Sequence, residues 1–402
     1  MKYIIIQGDG MSDLLERADA QPTALEAAHT PNFDRVAGCG LFGLIHTIPE
    51  GLPPGSDVGN LSLFGYDPRT YYTGRSPLEA AAMGVELAPR DVAFRMNLVT
   101  LRGEGDGREM ADFSGGHIDT ESAAVLVGAV GEALGDGRFQ FYPGVSYRHL
   151  LVWRGGMEGM RTTPPHDITD QVVAPHLPEG EGAEELRRIM ADSAKILAAH
   201  PLNREREAAG KPPVHMVWLW GQGRAPSMPV FKSLYRLSGA VISAVDLVRG
   251  VAAYADFDIV HVPGATGFLD TDYAAKGVYA LRALENHDLV FIHVEAPDEA
   301  GHMGDRGEKI KAIEAIDREI LGPILEALAG RQPCKVLIIS DHATPISLRT
   351  HCPDPVPFAM ATGDQLASAS RAVKYGETEA ARSGNVIAEG HSIIERLIAW
   401  PE

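Results

Sequence analysis

Two kinds of apolar pattern alternate along this chain. In the first, short unbroken apolar runs rich in β-branched residues stop abruptly at polar or glycine positions. Residues 2–7 end at Gly8-Asp9-Gly10-Met11, residues 288–294 run into Ala296-Pro297-Asp298, and residues 335–340 end directly on Asp341-His342. Apolarity that does not alternate predicts strands buried on both faces, the habit of a parallel sheet. The second pattern repeats with helical spacing, over residues 120–134 and 183–200, and predicts amphipathic helices. Residues 239–254 read as a helix, and residues 147–153 and 257–262 as strands. A chain of 402 residues predicts two or three domains.

The ends of the predicted strands carry the candidate chemistry. Asp9, Asp298 and Asp341 each fall at a strand's carboxyl end, where open α/β sheets bind their ligands. Asp298 and His302 are four residues apart, so in the first turn of a helix they share one face. A lone Asp or His at a strand end reads as a helix cap or a satisfied polar group. Asp9, Asp298, His302, Asp341, His342 and His351 together, with no cysteine in their pattern, point to a two-metal hydrolytic or phosphoryl-transfer site. Carboxylate and imidazole donors suit Mn, Mg or Zn better than a thiolate-seeking metal. Ser56, in Leu52-Pro53-Pro54-Gly55-Ser56-Asp57-Val58-Gly59-Asn60, is predicted at the cap of a helix. It reads either as a plain N-cap or as a metal-activated nucleophile with helix amides facing a phosphate.

These motifs resemble the alkaline phosphatase superfamily: Asp9-Gly10-Met11, Thr30-Pro31-Asn32-Phe33-Asp34, the Ser56 loop, Asp298 with His302, Ser340-Asp341-His342 and His351. Longer stretches resemble the archaeal-type cofactor-independent (2,3-bisphosphoglycerate-independent) phosphoglycerate mutases. They are residues 54–60 and 64–68, Gly74-Arg75-Ser76-Pro77-Leu78-Glu79-Ala80, Trp220-Gly221-Gln222-Gly223, residues 293–302 and Asp354-Pro355-Val356-Pro357. The resemblance implies an α/β fold with a mostly parallel sheet, helices on both faces and a smaller inserted α/β domain. It implies one divalent cation on Asp298, His302 and His351 and a second on Asp9, Ser56, Asp341 and His342. Mn is the expected metal, with Mg, Zn or Co as alternatives and no 2,3-bisphosphoglycerate cofactor. The implied reaction interconverts 3- and 2-phosphoglycerate through a phosphoserine on Ser56, in glycolysis and gluconeogenesis.

With candidate ligands near both ends of the chain, the middle must leave a core and return to it. The expectation is a metal-binding core of residues 1–70 and 229–402, with residues 71–228 inserted as a substrate-binding lid. His117 matches the family's phosphate-contacting histidine. Arg148 and Arg224 suit the carboxylate and phosphate of a small anion, or a structural role, because guanidinium binds either group bidentately. Arg161, His166, Asp167 and Lys276 are further substrate candidates, and Asp119 or Asp167 could carry a proton. The extended arginine-rich lid motif of the bacterial branch is absent in that form. Trp220-Gly221-Gln222-Gly223 matches neither Gly-x-Gly-x-x-Gly nor the Walker pattern, so it is no nucleotide loop.

Composition narrows the partners. There are 36 Lys plus Arg against 54 Asp plus Glu, a formal charge of −18, which disfavours nucleic acid. Three cysteines in unrelated contexts, Cys39, Cys334 and Cys352, disfavour a disulfide framework and fit a reducing cytoplasm. Cys352 beside His351 reads as a packed thiol. No signal-peptide pattern or membrane-length apolar run is present, leaving a small-molecule substrate as the expected partner and the oligomeric state open. The rivals are a phosphomonoesterase, phosphopentomutase or phosphonate hydrolase on the same core, and a silent metal- or anion-binding protein.

Overall fold

The computed structural model describes residues 1–15, 21–330, 333–368 and 371–401. In chain order the strands are β1 (Lys2–Gly8), β2 (Leu41–Ile45), β3 (Val92–Arg102), β4 (Glu109–Asp112), β5 (Phe139–Tyr142), β6 (Arg148–Trp153) and β7 (Met216–Gly223). They continue with β8 (Gly239–Ile242), β9 (Asp258–Ile259), β10 (Leu289–Val294), β11 (Cys334–Ile339), β12 (Val356–Thr362) and β13 (Val386–Ile387). The chain divides into two compact units, Met1–Tyr72 with Ser227–Glu402, and Thr73–Pro226.

In the first unit the strands form one eight-stranded sheet in the order β13-β2-β12-β11-β1-β10-β8-β9. Every neighbouring pair is parallel except the two made by β12, which runs antiparallel to β11 and β2. The three unbroken apolar runs are its centre: β1 lies between β10 and β11, with Ile5 facing Phe291 on one side and Leu337 on the other. Ile4, Ile5, Ile6, Val290, Ile292, Val336, Leu337 and Ile338 are all solvent-free. That burial on both faces explains the missing alternation.

In the second unit, β3 pairs antiparallel with β4, β6 and β7, and β6 with β5. The helices Thr120–Leu134 and Ala183–Ala199 bury Leu126, Val130, Leu186 and Ile189 in the same core as Phe94, Leu151 and Trp218.

Three element expectations need correction. Residues 239–254 are not one helix: β8 comes first, and the helix Asp246–Tyr254 follows. Gly239-Ala240-Val241-Ile242 is wholly buried as an inner strand, so its apolarity carries no period, and Phe257 packs where a Cβ on Gly239 would stand. The strand expected over 257–262 is reduced to β9, which holds two residues at the sheet's edge. Ser56 is not the cap of its helix: Gly55 is the N-cap, with extended backbone, and Ser56 is the first helical residue. Its hydroxyl meets the partner described below. Among the described residues no helix is long and apolar enough to cross a membrane.

Candidate active site in the first unit and a cationic face in the second

Three adjacent strands deliver the first cluster. β1 ends on Asp9, β11 on Asp341-His342, and β10 feeds the helix Ala296–Met303 that carries Asp298 and His302. These ends are tied together, since Asp9 N–H donates to Val294 O (3.0 Å) and Gly10 N–H to Asp341 Oδ1 (3.2 Å). Gly10 has φ +53°, and a side chain there would run into Asp298 and Thr344, so glycine is required on both counts. His351 arrives on a segment bridged to Ala343 through Cys352 N–H (2.9 Å).

Two groups of donor atoms result. His302 Nε2 lies 3.0 Å from His351 Nε2 and 3.1 Å from Asp298 Oδ2, and His351 Nε2 lies 3.6 Å from Asp298 Oδ1. In the second group, His342 Nε2 is 3.1 Å from Ser56 Oγ, 3.5 Å from Asp9 Oδ1 and 3.4 Å from Asp341 Oδ2. Donors sharing a cation at about 2.0–2.2 Å are separated by roughly 3.0–3.6 Å, and the separations here run from 3.0 to 3.6 Å. Asp9 Oδ1 is fully buried without a hydrogen-bond partner, which a cation would remedy. Among the described residues, Asp298 with His342 and His351, Asp9 with Asp341 and His342, and Asp9 with His293 and Glu295 are groups that could hold a metal ion of the kind that accepts carboxylate and imidazole.

The electrostatics show the same demand for positive charge. Burial raises the Asp9 carboxyl well above its ordinary value, reinforced by Asp341, Glu295 and Asp298. Burial would also raise Asp298, but hydrogen bonds from His302 and His351 hold it well below. Asp298 in turn lifts His302 to about 9, while burial lowers His342.

Several residues at this site escaped sequence reasoning. His293, fully buried, places Nε2 at 2.8 Å from Asp9 Oδ2 and 3.3 Å from Glu295 Oε2, with Nδ1 at 3.0 Å from Ser243 Oγ. Its signal was available: a histidine inside an apolar run, two residues before a glutamate. Asn60 Nδ2 donates to Ser56 O (2.9 Å) and Asp341 Oδ2 (3.2 Å), and its helical spacing of four from Ser56 could have revealed it. Thr344, which hydrogen-bonds Asp298 and sits 3.2 Å from His342 Nδ1, carried no local signal because the fold alone brings it there. Lys309 is likewise buried, donating to Ser12 O (3.1 Å) and Thr344 O (2.7 Å).

The second unit sorts the remaining candidates. Two of them join one chain of ring contacts: His117 to Tyr147 (6.3 Å between centroids), Tyr147 to Phe113 (5.7 Å), Phe113 to His166 (6.0 Å) and His166 to Trp220 (5.2 Å). Arg148 lies 5.4 Å over Tyr147, and Arg95, absent from the sequence-based candidates, lies 4.3 Å over Trp220. The others are engaged differently. Arg224 pairs with Glu158 (2.8 Å) and donates to Gly156 O (3.1 Å); Arg161 pairs with Glu179 on an exposed edge. Asp119 is the N-cap of the helix Thr120–Leu134, accepting from Ser122 N–H (2.8 Å). Asp167 is exposed, 3.7 Å from His166 Nε2. Lys276 belongs to the first unit, where it donates to His293 O (2.9 Å) and burial lowers it to about 8.

Comparison with known proteins places these sites in a family context. A family model described as 2,3-bisphosphoglycerate-independent phosphoglycerate mutase matches residues 37–203. The chain is 50% identical over 398 residues to a probable 2,3-bisphosphoglycerate-independent phosphoglycerate mutase of Geobacter sulfurreducens, covering 99% of this chain and all of that protein. It is also 50% identical over 401 residues to a Methanothermobacter thermautotrophicus protein named for the same activity, covering 99% and 97%. Among solved structures, a Pyrococcus horikoshii protein aligns with TM-score 0.82 at 29% identity, covering 99% of this chain and 97% of its own. The cofactor-independent phosphoglycerate mutase of Thermoplasma acidophilum aligns with TM-score 0.66 at 25% identity, covering 99% of both chains.

Proposed function

The chain belongs to the 2,3-bisphosphoglycerate-independent phosphoglycerate mutase family, and from that membership we propose that it interconverts 3-phosphoglycerate and 2-phosphoglycerate through a phosphoserine on Ser56. The observation that carries the finer part is the place of Ser56. Its hydroxyl stands 3.1 Å from His342 Nε2, at the start of a helix, among buried carboxylates. Asp298, His302 and His351 would hold one divalent cation, and Asp9, Ser56, Asp341 and His342 the other, with Mn the first choice. When bound, such cations neutralise phosphate oxygens and make a serine hydroxyl easier to ionise.

On this reading Ser56 Oγ forms a bond to the phosphorus of 3-phosphoglycerate as the bond to the C3 oxygen breaks, and that oxygen gains a proton. The C2 hydroxyl of the retained glycerate then attacks the phosphoserine, loses its proton and leaves as 2-phosphoglycerate, restoring Ser56. The start of the helix Ser56–Leu63 presents backbone amides and a positive dipole end suited to the phosphoryl oxygens. Water must stay out between the two transfers, or the phosphoserine hydrolyses. We assign metal binding and phosphoryl transfer to residues 1–70 with 229–402, and retention of the glycerate to residues 71–228, with His117 and Arg148 as its contacts. A reducing cytoplasm suits the three free thiols Cys39, Cys334 and Cys352.

Incubating the purified protein with 3-phosphoglycerate and Mn, without 2,3-bisphosphoglycerate, should yield 2-phosphoglycerate. Release of free phosphate alone would instead identify a phosphomonoesterase.

A further inference from the structure

A lysine with no part in the proposed chemistry lies beside the metal-ligand cluster of the first unit. Lys309, on the helix Arg306–Ala315, is fully buried, and its ammonium bonds two backbone carbonyls, Ser12 O (3.1 Å) and Thr344 O (2.7 Å). Taking an ammonium out of water is costly. Burial lowers Lys309 to about 8, although Asp13, Asp298 and Glu377 favour its charge.

The ammonium joins the loops that follow β1 and β11, which carry Asp9 and Asp341-His342. These loops meet in short bridges, Met11 to Ala343 and Ala343 to Cys352, and Thr344 N–H donates to Ser12 O (3.2 Å). Next along, Ile346 N–H donates to Asp13 Oδ2 (3.3 Å), and Asp13 N–H to Glu377 Oε1 (2.7 Å). Thr344 is thereby held on several sides. Its N–H goes to Ser12 and its carbonyl to Lys309, and the helix Ala296–Met303 comes so close that a Cβ on Gly301 would stand 2.7 Å from Thr344 O. Its hydroxyl reaches both sets of ligands, bonding Asp298 and lying 3.2 Å from His342 Nδ1. A carboxylate only accepts, so the hydroxyl proton goes to Asp298 and the hydroxyl oxygen accepts from His342 Nδ1–H. That tautomer leaves the lone pair of His342 on Nε2, the atom 3.1 Å from Ser56 Oγ.

We propose that Lys309 is a positioning residue for the metal centre: by tying the loops after β1 and β11 to one ammonium it fixes Thr344, and through Thr344 the Asp298 carboxylate and the His342 tautomer. The proposal rests on the two-metal reading given above. The bonds of Lys309 go to backbone, so its effect on the cations runs through Thr344.

The test reads metal affinity rather than turnover. The full chain, stripped with EDTA, is titrated with Mn chloride in a calorimeter. K309M keeps the length of the side chain and removes the ammonium, and it should weaken Mn binding about tenfold. In a T344V background the same change should cost less than about twofold, because the path to the ligands is already cut. The melting temperature of metal-free K309M should stay near wild type, since the substitution also removes a buried charge. At limiting Mn the activity of K309M should fall, and excess Mn should restore it. Should K309M not fold, K309Q, which also removes the charge, should show the same weakened Mn binding. Mn affinity equal to wild type, full additivity with T344V, or lowered melting with unchanged affinity would overturn the proposal. Absence of Mn binding in wild type would overturn it together with the two-metal reading. Free phosphate as the sole product of the wild type would sink the mutase reading alone and leave the Lys309 result standing.

Discussion

The two units solve opposite electrostatic problems. In the first, Asp9, Asp298, Asp341 and Glu295 crowd at strand ends, and Asp9 is driven well above its ordinary value by burial and by the other three. In the second, Arg95 and Arg148 lie on antiparallel strands and Arg75 begins a helix, with Glu79 bonded to both Arg75 and Arg95. The negative site calls for cations and the positive one for an anion. On the proposed reading, metal and substrate recognition are built on separate sheets, which makes them separable by mutation.

The largest effect should come from Ser56, the proposed nucleophile of the first unit. S56A is expected to lower kcat by at least about a thousandfold, because Ser56 is the proposed acceptor of the phosphoryl group. Metal content measured by elemental analysis should stay near wild type, since the other ligands remain. Retained turnover would remove Ser56 from the mechanism.

Much of that site was legible in advance, for a physical reason. A strand buried on both faces is a nearly unbroken apolar run, so its end is marked by a break into glycine and polar residues, and Asp9 and Asp341 stand in those breaks. Asp298 and His302 were readable because helical spacing sets them on one face. Thr344 and Lys309 were not legible, since their contacts with the Asp298 cluster come from loop crossings separated by many residues. The second unit was harder. Arg95 lies within β3, whose first ten residues are all buried, so neither alternation nor a strand end distinguished it. Arg148 and Arg224 read alike in sequence, yet one faces Tyr147 and the other is committed to Glu158. The helix expected at 239–254 failed for a related reason, because a fully buried strand carries no period.

A smaller effect is expected behind the ligands. H293A and T344V remove hydrogen-bond partners of Asp9 and Asp298, and each should weaken metal affinity about 10–100-fold by titration calorimetry. Affinity equal to wild type in both would mean that the ligand carboxylates need no such support.

The contrast inside the second unit gives the next test. R148A should raise KM for 3-phosphoglycerate about tenfold with little change in thermal stability, whereas R224A should leave KM near wild type. A larger KM change in R224A would reverse the assignment made from their contacts.

The smallest effect concerns pH. His149 is buried in the second unit, its Nδ1 accepting from Gly144 N–H (3.0 Å), and burial lowers it to about 4 from 6.5. The unfolded chain binds that proton first, so the stabilisation is present above about pH 6.5 and is lost as pH falls toward 4. The total is at most about 3 kcal/mol. Denaturant melts of wild type and H149Q should show a shallower acid limb in the variant, and parallel limbs would refute this origin.

The central claim is that phosphate passes through Ser56 in the first unit. Metal-loaded protein mixed with 3-phosphoglycerate labelled in its phosphate, quenched within one turnover and digested, should carry the label on the peptide containing Ser56, with the same label then appearing in 2-phosphoglycerate. Labelled 2-phosphoglycerate formed with no label on Ser56 at any quench time would contradict it.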